Sequence, residues 1–447
     1  MFEQPAQHVQ PVIVPRSDHR ISRSQISDNA LKVLYRLKNG GYEAYLVGGG
    51  VRDLSLGREP KDFDIATDAT PEQVNELFRN CRLIGRRFRL AHVHFGREII
   101  EVATFRALNN GGEEDSDGDH VTEDGLVLRD NVYGTIEEDA LRRDFTVNAL
   151  YYNIADFSIV DYAGGMADLE AAVIRLIGDP EVRFREDPVR MLRAVRFAVK
   201  LGFRIDPDVA EAMPRLAPLL ADIPAARLFE EVLKLFMGGQ GEGTFELLRR
   251  FGLYRYLFPA TDTLLDEAGD DVAVRFIARA LANTDLRIME ERPVTPAFLF
   301  AAMLWPVVVE RAAEWQDDVD SDGQALQQAS AAVVQEQVAV VTIPKRFGVP
   351  MREIWSLQPR FEKRSGKRAQ RLLGHPRFRA AYDFLLLRAE VGDADPELAN
   401  WWTEFQDADP ERRRAMTGAS GGGGKRGRRG RRGRRGDDGD NDGDDEE

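Results

Sequence analysis

The chain has a single cysteine, Cys81, in 447 residues, only six histidines, and no run of the roughly 20 apolar residues that a membrane crossing needs. A lone cysteine excludes an internal disulfide and any metal site built on paired thiolates; it suits a reducing compartment and a buried structural role for Cys81. The first stretch, MFEQPAQHVQPVIVPRSDHR, lacks the charged-then-apolar layout of a secretion signal, so the expected location is the cytoplasm, with no membrane contact. No G-x-x-x-x-G-K-[ST] loop occurs anywhere, which argues against a P-loop phosphotransferase. Positive charge is also short: the net charge is −14, and a uniformly acidic surface would repel nucleic acid.

The distribution of charge reverses that last exclusion. Lys425 to Arg435, KRGRRGRRGRR, carries eight basic residues and the DDGDNDGDDEE after it eight acidic ones, so the tail is nearly neutral as a block. Acid is concentrated again in Gly111 to Gly125, GGEEDSDGDHVTEDG, which has no apolar periodicity and reads as a solvated loop. The chain as a whole is 43% hydrophobic and 9% aromatic, an ordinary globular mix.

Helical spacing of Ile26, Leu31, Val33, Leu34 and Leu37 before Gly40-Gly41 predicts a first helix. A short apolar strand, YEAYLV, then runs into Gly48-Gly49-Gly50, a helix start at VRDLSLG, and the strand KDFDIAT. TPEQVNELFRN, with Thr70 as cap, predicts another helix, and REIIEVATFRA another strand. These alternations describe a small α/β domain. From about Asp161 the pattern turns helical through LEAAVIRLI, PVRMLRAVRFAVKLGF, RLFEEVLKLFMGG, GTFELLRRFGLYRYLF, VAVRFIARALANT and AFLFAAMLWPVVVERAAEW, with no comparable strand. Beyond about Asp407 the Gly, Arg and Asp bias predicts disorder.

Asp62 and Asp64 stand two apart in the predicted strand and therefore on one face. Two parallel carboxylates repel unless a cation lies between them, and Mg²⁺ accepts one or two carboxylates and completes its shell with water and phosphate oxygens. The glycines at 48 to 50 let backbone approach phosphate closely. Glu101, in the otherwise apolar IIEVATF, is a third acid that is costly to bury unpaired; its ordinary alternative is an ion pair with an arginine such as Arg106. A D-x-D on a strand or a Gly-Gly turn is common without any metal or phosphate; their joint occurrence carries the argument. His92 and His94 suggest a metal pair, but with no acid or cysteine at ligand spacing in the sequence beside them they read as structural or RNA-contacting.

The segments LVGGGVRD, DFDIAT, LRRDFTVNALYYN, DYAGGMADL and REDPVRMLRAVRF resemble, in order, the motifs of the class II nucleotidyltransferases, a polymerase-beta-like superfamily of bacterial poly(A) polymerases and CCA-adding enzymes. CRLIGRRFRLAHVHFG, IPKRF, MREIW, GKRAQRLLGHPRFRAAYDFLLLRA and WWTEFQ look like the poly(A) polymerase branch. The resemblance implies an α/β nucleotidyltransferase head followed by an all-helical neck, body and C-terminal RNA-binding region. The corresponding division is an N-terminal extension at 1–24, head 25–160, neck with the base-recognition motif 161–255, body and RNA-binding region 256–408, and disordered Arg/Gly then acidic tail 409–447.

It implies template-independent transfer of AMP from ATP to RNA 3′ hydroxyls with release of pyrophosphate, the polynucleotide adenylyltransferase reaction, promoting RNA decay in bacteria; the nearest alternative is a CCA-adding tRNA nucleotidyltransferase. Carried over by position, Asp62 and Asp64 hold two Mg²⁺ ions with Glu101 as a further catalytic carboxylate. Gly48, Gly49 and Arg52 match the triphosphate-binding segment. Arg143, Asp144 and Asn148 match a sugar- and phosphate-contacting motif, and Glu186, Asp187 and Arg190 the base-reading motif, with Arg193 following. Positions 187 and 190, and 190 and 193, are three apart and so neighbours on one helical face. The ordinary readings are a salt-bridged cationic helix for EDPVRMLRAVRF and a capped helix start for RRDFTVNAL.

The expected partners are ATP, RNA 3′ ends and proteins of RNA decay. Basic residues interleaved with aromatics at 85–89, 345–347, 360–371 and 375–379 suit a single strand held by phosphate contacts and stacking. An inactive RNA-binding scaffold is the remaining rival, against which the intact DFD weighs.

Overall fold

Short runs of β-branched and aromatic residues assemble into one eight-stranded mixed sheet. The computed structural model describes residues 9–85, 89–108, 132–267, 271–316 and 322–418; the acidic segment 111–125, part of the basic 85–89 segment and the tail from 419 lie outside the described residues. The strands are β1 (Val12–Val14), β2 (Ala44–Val47), β3 (Asp64–Thr67), β4 (Cys81–Ile84), β5 (Leu90–Phe95), β6 (Glu98–Thr104), β7 (Leu150–Asn153) and β8 (Ile159–Asp161). Their order is β1-β8-β7-β2-β3-β6-β5-β4. Only β3 and β6 pair in parallel; the other neighbours are antiparallel.

Four helices belong to this sheet: α1 (Asp28–Asn39), α2 (Gly49–Ser55), α3 (Pro71–Leu77) and α4 (Ile136–Leu141). Ser27 caps α1, and Ala30, Val33, Leu34 and Leu37 form its buried stripe. Leu34 is fully buried, so Leu34→Ala would cost about 2–5 kcal/mol in lost transfer energy and cavity. Thr70 and Gln73 form a reciprocal capping box at α3. On the opposite face of the sheet, Tyr45, Val47, Ala66, Phe105, Ala140, Tyr151 and Val160 make a separate small core next to Asp64.

The sheet includes more of the N-terminus than the sequence predicts. Val12–Val14 pairs with β8 in the register Val12↔Asp161 to Val14↔Ile159, so the segment read as an extension is an edge strand of the head. Pro11 and Pro15 flank it; proline cannot donate to a ladder, which confines such a strand to an edge. Cys81 is half-buried on β4 rather than buried.

Past the sheet come α5 (Gly165–Ala171), α6 (Pro180–Glu186), α7 (Val189–Leu201), α8 (Pro207–Leu216) and α9 (Ala225–Phe236), with β9 (Val173–Ile174) and β10 (Arg204–Ile205) as a parallel pair. The predicted helix LEAAVIRLI therefore stops half-way: Ala172 turns left-handed at φ 54°, and the β-branched Val173 and Ile174 leave for β9. Helices fill the rest. The helix Pro296–Glu314 is long and apolar enough to cross a membrane by length and composition, but here Leu299 to Trp305 and Val307-Val308 are core residues. A C-terminal core gathers Leu357, Phe361, Phe378, Tyr382, Trp402 and Phe405. The chain does not lose order at 409: Asp409 caps a helix at Pro410–Met416, accepting from the Glu411 and Arg412 amides.

Candidate active site

Asp64 opens β3 directly opposite Glu101 on β6. Glu101 in turn faces His92 on β5, and His92 faces Arg82 on β4. Residues in cross-strand register share a face, so Arg82, His92, Glu101 and Asp64 form one polar row across four strands. Asp62 lies just before β3, not in it, so the period-two argument did not place it. Its charge nevertheless reaches Asp64. Loss of water around it, then the charges of Glu101 and Asp62, push the Asp64 carboxyl up to about 6, with Arg143 opposing. That is a site short of positive charge, although Asp64 presents part of its surface to solvent. Glu101 Oε2 lies 3.3 Å from His92 Nε2.

Gly48 adopts φ 64°, ψ −128° at the start of α2. A β-carbon there would be strained and would sit 3.3 Å from Arg143 Nη1. Arg52, 3% exposed, donates through Nη1 to Asn148 Oδ1 at 2.6 Å and through Nε to Asp53 Oδ1 at 2.8 Å. Arg143 donates through Nε to the Tyr151 hydroxyl at 2.8 Å and through Nη2 to Asp139 Oδ2 at 3.0 Å, while Tyr151 donates to the same Asp139 oxygen at 2.6 Å. This frame points Arg143 between the glycine turn and Asp64. Asp139 and Tyr151 escaped the sequence reading; the i,i+4 spacing of Asp139 and Arg143 was the available signal.

Asp144 accepts Arg193 Nε at 2.7 Å together with Nη2, Asn148 Nδ2 at 3.2 Å and the Phe145 amide at 2.8 Å. Burial alone would raise its pKa; the Arg193 guanidinium, Asn148 and the amide more than offset that and hold it below the usual carboxylate range. The pair ties the loop after α4 to α7. With its oxygens so engaged, Asp144 acts here as an anchor for Arg193.

The chain breaks helix at Asp187-Pro188, between α6 and α7. The helical-face argument for 187 and 190 therefore fails, whereas Arg190 and Arg193 do lie together on α7. Glu186 instead receives Arg183 Nη1 at 2.9 Å and Arg190 Nη1 at 2.7 Å. Asp187 receives Arg227 of α9, Nη2 reaching both oxygens at 2.9 and 2.8 Å. Arg183 also donates to the carbonyls of Arg142 and Arg143 at 2.8 and 2.6 Å, linking this cluster to the head. Neither Arg183 nor Arg227 was singled out from sequence.

Arg52, Arg193 and Arg196 converge on the ring of Phe197, at 5.3, 5.5 and 4.6 Å from its centroid. Burial and then the neighbouring Arg193 lower the pKa of Arg196; burial and then Arg52 lower that of Lys200. Arg196 Nε is buried without a hydrogen-bond partner. Crowded cations with an unmet donor are complementary to a polyphosphate.

Among the described residues no three His, Cys, Asp or Glu side chains are already grouped as a metal cage. Neighbouring carboxylates at Asp64 and Glu101 still fit Mg²⁺, which takes few protein ligands and relies on substrate phosphates and water. The basic segments predicted to meet RNA divide their charge: Arg377 pairs with Glu353 and Arg379 with Asp383, while Arg346 and Arg364 lie over Phe347 and Trp401 at 4.8 and 5.9 Å.

Three family profiles match the chain: the poly A polymerase head domain at residues 44–175, the "Probable RNA and SrmB- binding site of polymerase A" at 202–265, and the polymerase A arginine-rich C-terminus at 320–436. Poly(A) polymerase I of Salmonella typhi is 57% identical over 410 residues, 90% of this chain and 88% of that protein. The Escherichia coli O6:H1 protein of that name is 55% identical over 421 residues, 93% and 90%. A CCA-adding enzyme of Bacillus pumilus is 39% identical over 229 residues, 51% of this chain and 54% of that one. Among solved structures, the Thermotoga maritima CCA-adding enzyme complexed with tRNA superposes with TM-score 0.59 at 18% identity, covering 89% of this chain and 87% of that one. That likeness carries the head-and-helices fold. The identity to these polymerases covers nine-tenths of the chain or more, and on that ground the chain belongs to the poly(A) polymerase family.

Proposed function

We infer that the chain is a polynucleotide adenylyltransferase, which extends RNA 3′ ends in the cytoplasm with AMP from ATP, without a template, and releases pyrophosphate. The observations that carry the chemistry are the direct strand pairing of the Asp64 and Glu101 carboxylates and the arginines gathered on the Phe197 ring; identity above one half to the two polymerases across about nine-tenths of the chain supports the adenylate specificity.

In this reading Asp62 and Asp64, with Glu101 beside them, would hold Mg²⁺, two ions in all; when bound, Mg²⁺ supplies Lewis-acid activation of the 3′ hydroxyl and neutralises charge on the leaving pyrophosphate. The chain's own contribution is position and electrostatics. Gly48 and Gly49 leave room for phosphate oxygens, and Arg52, Arg143, Arg193, Arg196 and Lys200 offset their charge. Asn148 orients Arg52, Asp139 and Tyr151 orient Arg143, and Asp144 orients Arg193. Glu186, Asp187 and Arg190 present acceptors and donors to the base edge, with Arg183 and Arg227 setting their directions. Such buried polar groups discriminate because a wrong base leaves them unpaired. The basic clusters of the C-terminal third hold the RNA through phosphate and stacking contacts.

The test offers the purified chain an oligo(A) primer and a tRNA lacking its 3′ terminus, each with Mg²⁺ and ATP, CTP or both. Long ATP-dependent extension of oligo(A), with little use of CTP, is expected. Self-limiting CCA synthesis on the tRNA with no growth of oligo(A) would overturn the reading.

A further inference from the structure

We propose that His92 is a positioning residue of the nucleotidyl-transfer site, holding the Glu101 carboxylate in the orientation it needs beside Asp64. The proposal rests on the reading of Asp64 and Glu101 as the cation-binding edge of that site. Its foundation is geometric. His92 and Glu101 are direct partners in the β5/β6 ladder, and Glu101 and Asp64 are direct partners in the β6/β3 ladder. The three side chains therefore stand side by side on one face. His92 Nε2 is 3.3 Å from Glu101 Oε2.

The ladder makes this arrangement more rigid than a surface ion pair between long flexible chains. His92 has two rotatable side-chain bonds and sits on an interior strand, its backbone fixed by β4 on one side and β6 on the other. Its side chain is 23% exposed against 41% for Glu101, so the ring is the better-held partner and the carboxylate the one being held. Without His92, Glu101 has free choice of rotamer towards solvent, away from the neighbouring Asp64 with which it competes electrostatically. With it, Nε2 engages one carboxylate oxygen and leaves the other for the space beside Asp64. Outer partners of this kind commonly change metal affinity or activity on the order of 10–100-fold when removed.

A plain cross-strand pair on an exposed face predicts something different: a few tenths of a kcal/mol in stability and no effect on cation binding. The experiment uses the full chain carrying His92→Ala, His92→Gln, Glu101→Gln, and His92→Ala with Glu101→Gln. Gln is chosen because its amide nitrogen reaches about as far as Nε2. Two readouts are taken: binding of Mn²⁺ in the absence of RNA, by the spin-resonance signal of the free ion, and kcat and KM for ATP on oligo(A). Thermal melting verifies that each variant is folded.

His92→Ala is expected to weaken Mn²⁺ binding and lower kcat/KM by about 10-fold or more, His92→Gln to restore most of both, and the double variant to equal Glu101→Gln alone. Unchanged Mn²⁺ binding in folded His92→Ala, or a His92→Ala loss that persists in full on the Glu101→Gln background, would overturn the proposal. Glu101→Gln separates this from failure of the underlying reading: if that variant binds Mn²⁺ and adds adenylate like the parent, Glu101 is no part of the site and the premise itself is refuted.

Discussion

Asp64→Asn should abolish adenylate addition and yet make the metal-free chain more stable. The ordinary aspartate value of 3.8 rises to about 6 at Asp64 through desolvation and then the neighbouring Glu101 and Asp62 charges. A shift of about two units corresponds to at most about 3 kcal/mol of strain in the ionised form. Asp64 is exposed to solvent, and screening discounts that ceiling to about 1 kcal/mol. Because the folded value is raised, the cost is absent below the unfolded value, where the group is protonated in both states; it grows through the interval up to about 6 and is complete above it. The uncharged amide removes it. In EDTA, at a pH well above the folded value, the head's melting transition should therefore rise by about 2–4 °C in Asp64→Asn, and the difference should vanish in acid near the unfolded value. Saturating Mg²⁺ should reverse the order by stabilising only the parent. Thermal melts monitored by intrinsic fluorescence, with and without EDTA over this pH range, measure all three. An Asp64→Asn chain that melts with or below the parent in EDTA would refute the reasoning that these carboxylates are crowded in want of a cation.

Asp144→Asn leaves the half-buried Arg193 without its counter-charge and should destabilise the chain by about 2–4 kcal/mol, read as a urea midpoint shift. Because the folded Asp144 value is depressed, its contribution is present above the unfolded value and is lost as pH falls through the folded one. Arg196→Ala and Lys200→Ala should each raise KM for ATP by about tenfold while relieving repulsion among the cations around Phe197, so neither should lower the melting temperature; steady-state kinetics and melting curves check both. Deleting residues 419–447, which carry the KRGRRGRRGRR run, should weaken RNA binding and flatten its dependence on salt without altering KM for ATP, as filter binding across a salt series would record.

Much of this protein was legible one residue at a time. Local signals were enough for α1, the strand into the Gly48 turn, the Asp64 strand and the α3 cap, because those features depend on neighbours within a few positions. They were also enough for the candidate chemistry, since an acid inside an apolar strand is conspicuous without any structure, and the ordered motifs pointed to the family that the comparisons bear out. Where elements of two or three residues are stabilised from afar the local reading failed: β9 exists because Arg204–Ile205 comes alongside it, and β1 because Ile159–Asp161 offers it an edge.

Pairings between distant charges were decided by tertiary structure alone. Spacing put Asp187 and Arg190 side by side on one helical face, but the helix breaks at Asp187-Pro188, so Glu186 takes Arg190 and Arg227, 40 positions away, takes Asp187. His92 looked bare of acidic company until strand register set Glu101 against it. Spacing along a chain specifies which side chains share a face of one element. Which faces meet depends on sheet order and on how the helices pack against it, and those are settled by burial of apolar surface, which carries no record of the charges it brings together.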